Sequence, residues 1–518
     1  MLSEPRYGGK LPTLESAFEH EGNLLLRLQQ QHIAQGLRHV LWGDRASIVS
    51  LVRHHLGLAT DDACVVLPPS SWIQGAFNIC IFVEVIKQGA SAKRYIFRCP
   101  MPHKLSEEQH PGTVDEKVCC EAASYVWIQE HCTDIRIPRL YGFGLTNGCH
   151  FTHVDKMSLR HRVYRSLCRW IHRFFGLPLL SNYVHNTSAP AVMTAYSILE
   201  YIGPETGQML SDSWAECRND VARRGRLYRG MARIMLSLAR IPQRSIGAYR
   251  FNTSDSTVTL TNRPLTCSAI IMENSGAPRT IQPRQTYQSV ESFTSDMLTL
   301  HDNYLLHQPH AVQDEDDAYE RFTIRLLLRA VSHHFILPRW RDGPYVLQLT
   351  DFHQSNIFVD SEWNVVGMID LEWICSLPIE MLSVPYWLTG CSIDGIIDKE
   401  YEDFDEARQD FLAAMDEEAE TTSLKPKHDI PITHFMREMW LSKGVWFWAC
   451  VRSLNGWLFV FEDHIVPKFS NDKKFITRLK GVAALWQEDV ESVVKAKVED
   501  EETYKRELRT CYEGIAQE

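Results

Sequence analysis

The sequence predicts an α+β protein in two lobes, a small antiparallel β-rich first lobe and a large, mostly helical second lobe. Two observations carry this. Short apolar runs bounded by turn residues cluster early, where 79–85 and 95–98 read as a hairpin closed by Gln88-Gly89-Ala90. Beyond about residue 204 the apolar residues recur mostly at helical spacing, interrupted by one strand-turn-strand stretch at 347–373. The expected division is a helical N-terminal extension over 1–60, a first lobe over 61–203 with a basic insertion near 150–190, and a helical lobe over 204–518 that contains a loop at 349–373.

Composition narrows the classes open to such a chain. Its 54 basic and 65 acidic residues give a formal charge of −11, which disfavours nonspecific nucleic-acid binding and is compatible with a cationic small molecule. The 14 cysteines include no paired Cys-x-x-Cys sets, so free thiols in a reducing compartment are expected. The start of the chain lacks a basic segment followed by an apolar core, and no uncharged apolar run of about 20 residues occurs. The apolar run 445–451 is short and followed by Arg452 and Asn455. A cytoplasmic monomer without a membrane span is the resulting expectation.

Taken in order, 12–58 has Leu24, Leu25 and Leu28, then Ile48, Leu51 and Val52, at helical spacing, with Asp44 placed to cap; no chemistry attaches to it. The loop Gly75-Ala-Phe-Asn78 precedes the first strand of the hairpin, and Arg98 lies on the second, which Pro100 ends. The stretch 115–130 reads as an amphipathic helix with Val118, Ala122, Tyr125 and Ile128 on one face and Glu116 and Glu121 available as charges. Residues 140–144 and 195–203 read as further strands. Between them, Lys156, Arg160, Arg162, Arg165, Arg169 and Arg173 interleave with Leu159, Val163, Leu167, Trp170 and Phe174, and no acidic residue falls between Lys156 and Arg173. Such a segment is either a solvated helix packed on its own lobe or a surface for peripheral membrane or partner contact. In the second lobe, 214–239 reads as one long helix, with further helices over 288–307, 316–335, 398–420 and 432–495. The charged end beyond Lys495 is expected to fray or to form an exposed helix.

The stretch 347–373 carries the chemistry. Asp351 precedes Asn356 by five residues, and Asn356 precedes Asp370 by fourteen, with Ile357-Phe-Val359, a polar turn and Val365-Val-Gly-Met-Ile369 between. An Asp-x-x-x-x-Asn loop followed, after a hairpin, by a second Asp is the kinase arrangement. Asp351 would orient the attacking hydroxyl and accept its proton. Asn356 and Asp370 would hold Mg²⁺ against the nucleotide phosphates. Against that frame Gly75, Phe77 and Asn78 become the loop over the phosphates, with backbone N–H groups as donors. Arg98 stands where kinases place a phosphate-binding Lys, and Glu121 is its expected ion-pair partner, with Glu116 as the competitor. Lys93 is a lesser candidate for the cation and Glu372 for the metal. Arg263 is either an acceptor contact or a loop anchor, and the acidic face of 398–420 either receives a cation or is simply solvated.

Asp351-Phe-His-Gln-Ser-Asn-Ile-Phe-Val-Asp360 followed by Met368-Ile-Asp-Leu-Glu-Trp373 resembles the aminoglycoside phosphotransferase-like family, and most closely its large fungal branch. The resemblance implies a two-lobed, protein-kinase-like fold, ATP or GTP with Mg²⁺ as cofactors, and a small-molecule hydroxyl as acceptor. It also implies that Glu200 to Ile202 form a hinge offering backbone groups to adenine, and it supports Arg98 as the phosphate-binding cation. Leu349 stands where the family at large has His. That departure and the Arg at 98 leave an inactive pseudokinase, binding a nucleotide or a partner, as the alternative.

Overall fold

In the computed structural model, which describes residues 13–186, 194–421 and 425–515, an eight-stranded antiparallel sheet is followed by a mainly helical lobe. The sheet strands all lie between Ala63 and Glu200. The central order is Ala63–Val66, Asn78–Ile86, Lys93–Pro100, Tyr196–Glu200, Leu140–Gly144, His150–His153 and Tyr183–Asn186, with Ile73–Gln74 also paired to Asn78–Ile86. This is an α+β architecture, a β-rich lobe followed by a mainly helical one.

Strand periodicity decides which side chains reach the cleft. Side chains alternate between the two faces of a strand. Ile79, Ile81, Val83 and Val85, together with Tyr95, Phe97 and Cys99, form one core with Leu41, Ile48, Leu51 and Val52 of the helices Leu24–Gly43 and Arg45–Leu56. Arg98, offset by one residue, therefore points to the opposite face. The helical cover is pinned by His55, which exchanges hydrogen bonds with Tyr196 Oη at 2.8 Å and Thr152 Oγ1 at 2.9 Å, while Tyr196 also contacts His150 at 2.7 Å. Gly142 leaves room for that imidazole: a Cβ there would lie 2.2 Å from His55 Nδ1.

The opposite face receives the helix Thr113–His131. Glu107 caps it, accepting the N–H groups of Gly112 and Val114 at 2.7 Å each. The sequence suggests an amphipathic helix with one apolar face. Instead it is buried nearly all round, because the sheet covers one side and the strand Ala248–Phe251 and the Leu371–Trp373 turn cover the other. Its side chains join the main core that continues into the second lobe, so the charged Glu116, Lys117 and Glu121 are all interior.

In the second lobe the strand Tyr345–Leu349 pairs with Ile374–Pro378, and Ile357–Val359 pairs with Val365–Met368, giving the strand-turn-strand expected at 347–373. Two helical expectations need correction. The stretch 214–239 is two helices, Leu210–Cys217 and Val221–Ala239, because Asp220 caps a new start by accepting the N–H groups of Ala222 and Arg223. The C-terminal helix Val490–Ile515 is neither frayed nor fully exposed. Tyr504 and Leu508 bury against Ala17 and Leu24, and Tyr504 Oη accepts the Leu24 N–H at 3.0 Å. The acidic helix Asp398–Thr421 buries Phe404, Phe411, Leu412 and Met415 and packs on Val221–Ala239. All 14 cysteines are free thiols. Among the described residues no helix is long and apolar enough to cross a membrane.

Candidate active site

The two strand pairs of 345–378 place their polar ends at one point beneath the sheet. Thr350 tethers the start of the loop: its N–H and hydroxyl donate to the Trp373 carbonyl at 3.2 and 2.8 Å. Trp387 holds the middle, donating from Nε1 to the Phe352 carbonyl at 2.7 Å. Asn356 closes the loop by donating to the Asp351 carbonyl at 2.9 Å and its carboxylate at 3.3 Å. Ile369 N–H donates to the Asn356 carbonyl at 3.0 Å, so the backbone at Asn356 is tied directly to the residue before Asp370. Asp370 itself adopts φ +59°, in the left-handed region that an L-residue other than Asn or Asp seldom occupies.

Arg98 enters from the sheet above. It donates to Glu121 at 2.5 Å, to Asp370 at 2.5 Å and, in a short contact, to Glu372. Glu121 is thus its helix partner. The competing Glu116 lies elsewhere, paired with Arg263 at 3.0 Å and with Asn262 at 2.8 Å. Arg263 also meets Glu273, is buried and lines no part of the cavity beside Asp351, as a loop anchor would.

Lys117, one helical turn before Glu121, is fully buried and reaches Asn78 Oδ1 at 2.9 Å and Glu372 at 3.3 Å. Asn78 in turn donates to Glu372 at 3.0 Å. The Asn78 side chain is therefore engaged within this ion network. The Gly75 N–H donates to the Asn78 carbonyl at 2.9 Å, closing the loop tip into a tight turn. Phe77 is buried edge-on against Trp373, with ring centroids 4.9 Å apart. Glu200 turns its carboxylate outward to Arg136 at 2.9 Å and the Arg139 N–H at 3.0 Å, and Ile202 is buried. Lys93 begins the Lys93–Pro100 strand with its side chain exposed, away from Arg98.

The electrostatics follow from these neighbours. Four carboxylates, Asp351, Asp370, Glu121 and Glu372, stand against two cations, Arg98 and Lys117. Burial, and then the negative charge of Asp370, push the Asp351 carboxyl up to about 6. Burial also raises Asp370 and Glu121, opposed by Arg98, whereas Arg98 and Lys117 hold Glu372 below the usual range despite its burial. The excess of negative charge fits a divalent cation. Among the described residues no three His, Cys, Asp or Glu groups form a ready cage. Mg²⁺ needs none: it is commonly held by one or two carboxylates together with phosphate oxygens and water. Asn356 and Asp370, whose side chain is 34% exposed to the cleft, suit that role.

A cavity of about 710 Å³ opens beside Asp351, lined by its neighbours Thr350 and Phe352 and by Tyr386, Trp387, Asp394 and Arg452. The N-terminal segment contributes to its wall, with Asn23, Leu26 and Arg27. No residue of the acidic helix Asp398–Thr421 lines it. Lys117 was detectable in principle from its spacing of four before Glu121. The N-terminal wall had no such signal, because only tertiary packing brings 21–30 to the cavity.

No family model matches the chain, and no curated protein matches it. Among solved structures, an ethanolamine kinase from Plasmodium vivax matches with 12% identity, covering 85% of this chain and 89% of that one, at a TM-score of 0.35. A likeness that loose carries no argument about this chain.

Proposed function

We propose that the chain is an O-phosphotransferase that moves the γ-phosphoryl group of ATP, or of GTP, to a hydroxyl of a small molecule, in the manner of the aminoglycoside phosphotransferase-like family. The observation that carries the reading is the convergence of Asp351, Asn356 and Asp370 beneath the Arg98–Glu121 pair, beside a cavity of drug-sized volume. Asn356 and Asp370 would hold Mg²⁺, which neutralises charge on the β- and γ-phosphates when bound. Asp351 would accept a hydrogen bond from the acceptor hydroxyl, orient it in line with the phosphorus and take its proton. Arg98, positioned by Glu121, would contact the phosphates. The loop 75–78 would cover them, and the backbone of 200–202 would receive the base. Fixed charges and donors of this kind lower the barrier by positioning and electrostatic stabilisation.

The acceptor is expected to be a small molecule of mixed polarity. Aromatic walls from Phe352, Tyr386 and Trp387 suit a ring or alkyl body, and Asp394 and Arg452 suit polar substituents. Thermal shift with ATP and Mg²⁺ tests the nucleotide half. Stabilisation that needs Mg²⁺ and vanishes in Asp370→Asn supports it, and no shift with either nucleotide sinks it.

A pseudokinase is the second reading. It is favoured by the saturation of Arg98 with three carboxylates and by Leu349 at the family's His position. The two readings part on turnover: phosphate transfer to a screened acceptor, abolished by Asp351→Asn, belongs only to the enzyme.

A further inference from the structure

The helix Leu159–Phe174 is attached to the protein by its charged side. Arg165 donates to the carbonyls of Ser181 and Tyr183 at 2.8 and 3.1 Å. Arg169 donates to the Leu180 carbonyl at 3.0 Å, to Asn182 at 2.7 Å and to Glu130 at 2.5 Å. His172 meets the Pro178 carbonyl at 2.8 Å. These residues lie on one side of the helix at 3.6-residue spacing. The apolar residues lie on the other and face solvent: Leu159 is 71% exposed, Trp170 59% and Phe174 69%, with Val163, Tyr164 and Leu167 between them. Trp170 and Phe174 stack on one another at 5.4 Å instead of on the lobe. No residue of this helix is buried. A folded domain ordinarily turns an amphipathic helix the other way, and an apolar stripe left outside marks an interaction surface.

The charges beside the stripe say what covers it. Arg160, Arg162 and Arg173 are exposed at its margins. Among the described residues Glu130 pairs with both Arg169 and Arg173, and Asp155 with both Arg139 and Arg162, so the surface stays cationic on a chain whose net charge is −11. Lys87 and Lys93 lie near Lys156, just ahead of the helix. Two copies apposed through this face would bring arginine against arginine. An anionic bilayer satisfies both features at once, taking the apolar side chains below its headgroups and the arginines among its phosphates and carboxylates.

We propose that Leu159–Phe174 is an interfacial anchor that lays this protein on anionic membranes, with Leu167, Trp170 and Phe174 entering the acyl boundary and Arg160, Arg162 and Arg173 contacting the headgroups. The surface is independent of the phosphotransferase reading, and the inference stands if that reading fails.

The test is flotation of the full chain with vesicles of phosphatidylcholine alone or with about 30 mol % phosphatidylserine at about 0.1 M salt. The chain is expected to float with the anionic vesicles and to remain below with the neutral ones. Leu167→Ser/Trp170→Ser/Phe174→Ser should lower the bound fraction roughly tenfold, and Arg160→Gln/Arg162→Gln should weaken binding and flatten its salt dependence. The substituted apolar side chains are exposed, so the melting temperature of the triple variant should match that of the parent. Should it not, quenching of tryptophan emission by brominated phosphatidylserine vesicles replaces it, with Trp170→Phe expected to remove most of the quenching. Three outcomes would overturn the proposal: a parent chain that stays below with anionic vesicles, a triple variant that floats as well as the parent, or a dimer in vesicle-free buffer that the triple variant dissolves.

Discussion

Arg98 donates to Asp370 at 2.5 Å, so the cation assigned to the phosphates and the carboxylate assigned to the metal neutralise one another in the structure. The pair spans the two lobes, one residue on the Lys93–Pro100 strand and the other at the end of the 357–368 hairpin. Glu121 and Glu372 crowd the same guanidinium. On the proposed function this pair would have to part: Asp370 would be freed to hold a metal, and Arg98 to contact phosphate.

That parting makes Arg98→Met informative. The variant leaves Glu121, Asp370 and Glu372 without their shared cation, and removing one member of a buried ion cluster costs about 3–5 kcal/mol. Millimolar Mg²⁺ should recover part of the lost thermal stability, since the surplus carboxylates become a better cation site. Parent protein without nucleotide should respond to Mg²⁺ much less. Equal Mg²⁺ responses in the two proteins would show that the cluster does not take up a metal.

Lys117 predicts a different failure. It is fully buried and its ammonium bridges Asn78 and Glu372, so it orients Glu372 beneath Arg98 and fixes the base of the loop 75–78. Lys117→Met should destabilise by about 3–5 kcal/mol, because Glu372 loses a partner in a dry site. In an active enzyme it should lower kcat while leaving acceptor KM near the parent value. A Lys117→Met protein with parental melting temperature would remove the argument.

The strand-turn-strand stretch 347–373 was legible in the sequence because its information is local. Asp351, Asn356 and Asp370 are set by a hairpin whose strands and turn are contiguous, and Arg98 stood out as the cation on the returning strand of the first hairpin, where kinases place a phosphate-binding Lys. The Arg98–Glu121 pair was also within reach, since Glu121 lies on the one helix that follows the hairpin. What could not be read depends on packing between distant segments. The burial of Glu116 with Arg263, the role of Glu372 as a partner of both Arg98 and Lys117, and the N-terminal wall of the cavity all join residues more than a hundred positions apart. The basic helix was legible as amphipathic, but its outward-facing apolar side was not, because periodicity gives a stripe without saying which way it turns.

Trp387 offers a test of positioning apart from charge. Its indole N–H holds the Phe352 carbonyl at 2.7 Å, next to Asp351, and its ring meets Trp214 edge-on at 5.3 Å. Trp387→Phe keeps most of the packing and leaves that carbonyl unpaired, a cost of about 1–3 kcal/mol. Turnover should fall roughly tenfold through misplacement of Asp351, with the Mg²⁺–nucleotide thermal shift retained. A variant that lost nucleotide binding along with turnover would show that Trp387 supports the whole cleft and not the loop alone.

His55 ties the stability of the first lobe to pH. Burial, then the nearby His54 and His150, lower its pKa to about 3 from an ordinary 6.5. The folded protein therefore keeps the imidazole neutral where the unfolded chain takes up a proton. The stabilising contribution is complete above pH 6.5 and is lost as pH falls from there toward 3, at about 1.4 kcal/mol per pH unit. His301, buried with Nε2 2.9 Å from the Val451 carbonyl and lowered likewise to about 3, adds the same dependence in the second lobe. Glu380 works in the opposite direction: burial raises it to about 7, so its contribution is full below pH 4.5 and is lost as pH rises through 7. Denaturant unfolding at pH 7 and pH 5 separates these groups. His55→Gln should be less stable than the parent at pH 7, having lost hydrogen bonds to Tyr196 and Thr152, yet should lose about 2 kcal/mol less between pH 7 and pH 5. Parallel pH profiles for parent and variant would mean that His55 does not stay neutral in the fold, and that the helical cover on the sheet is not what sets its acid limit.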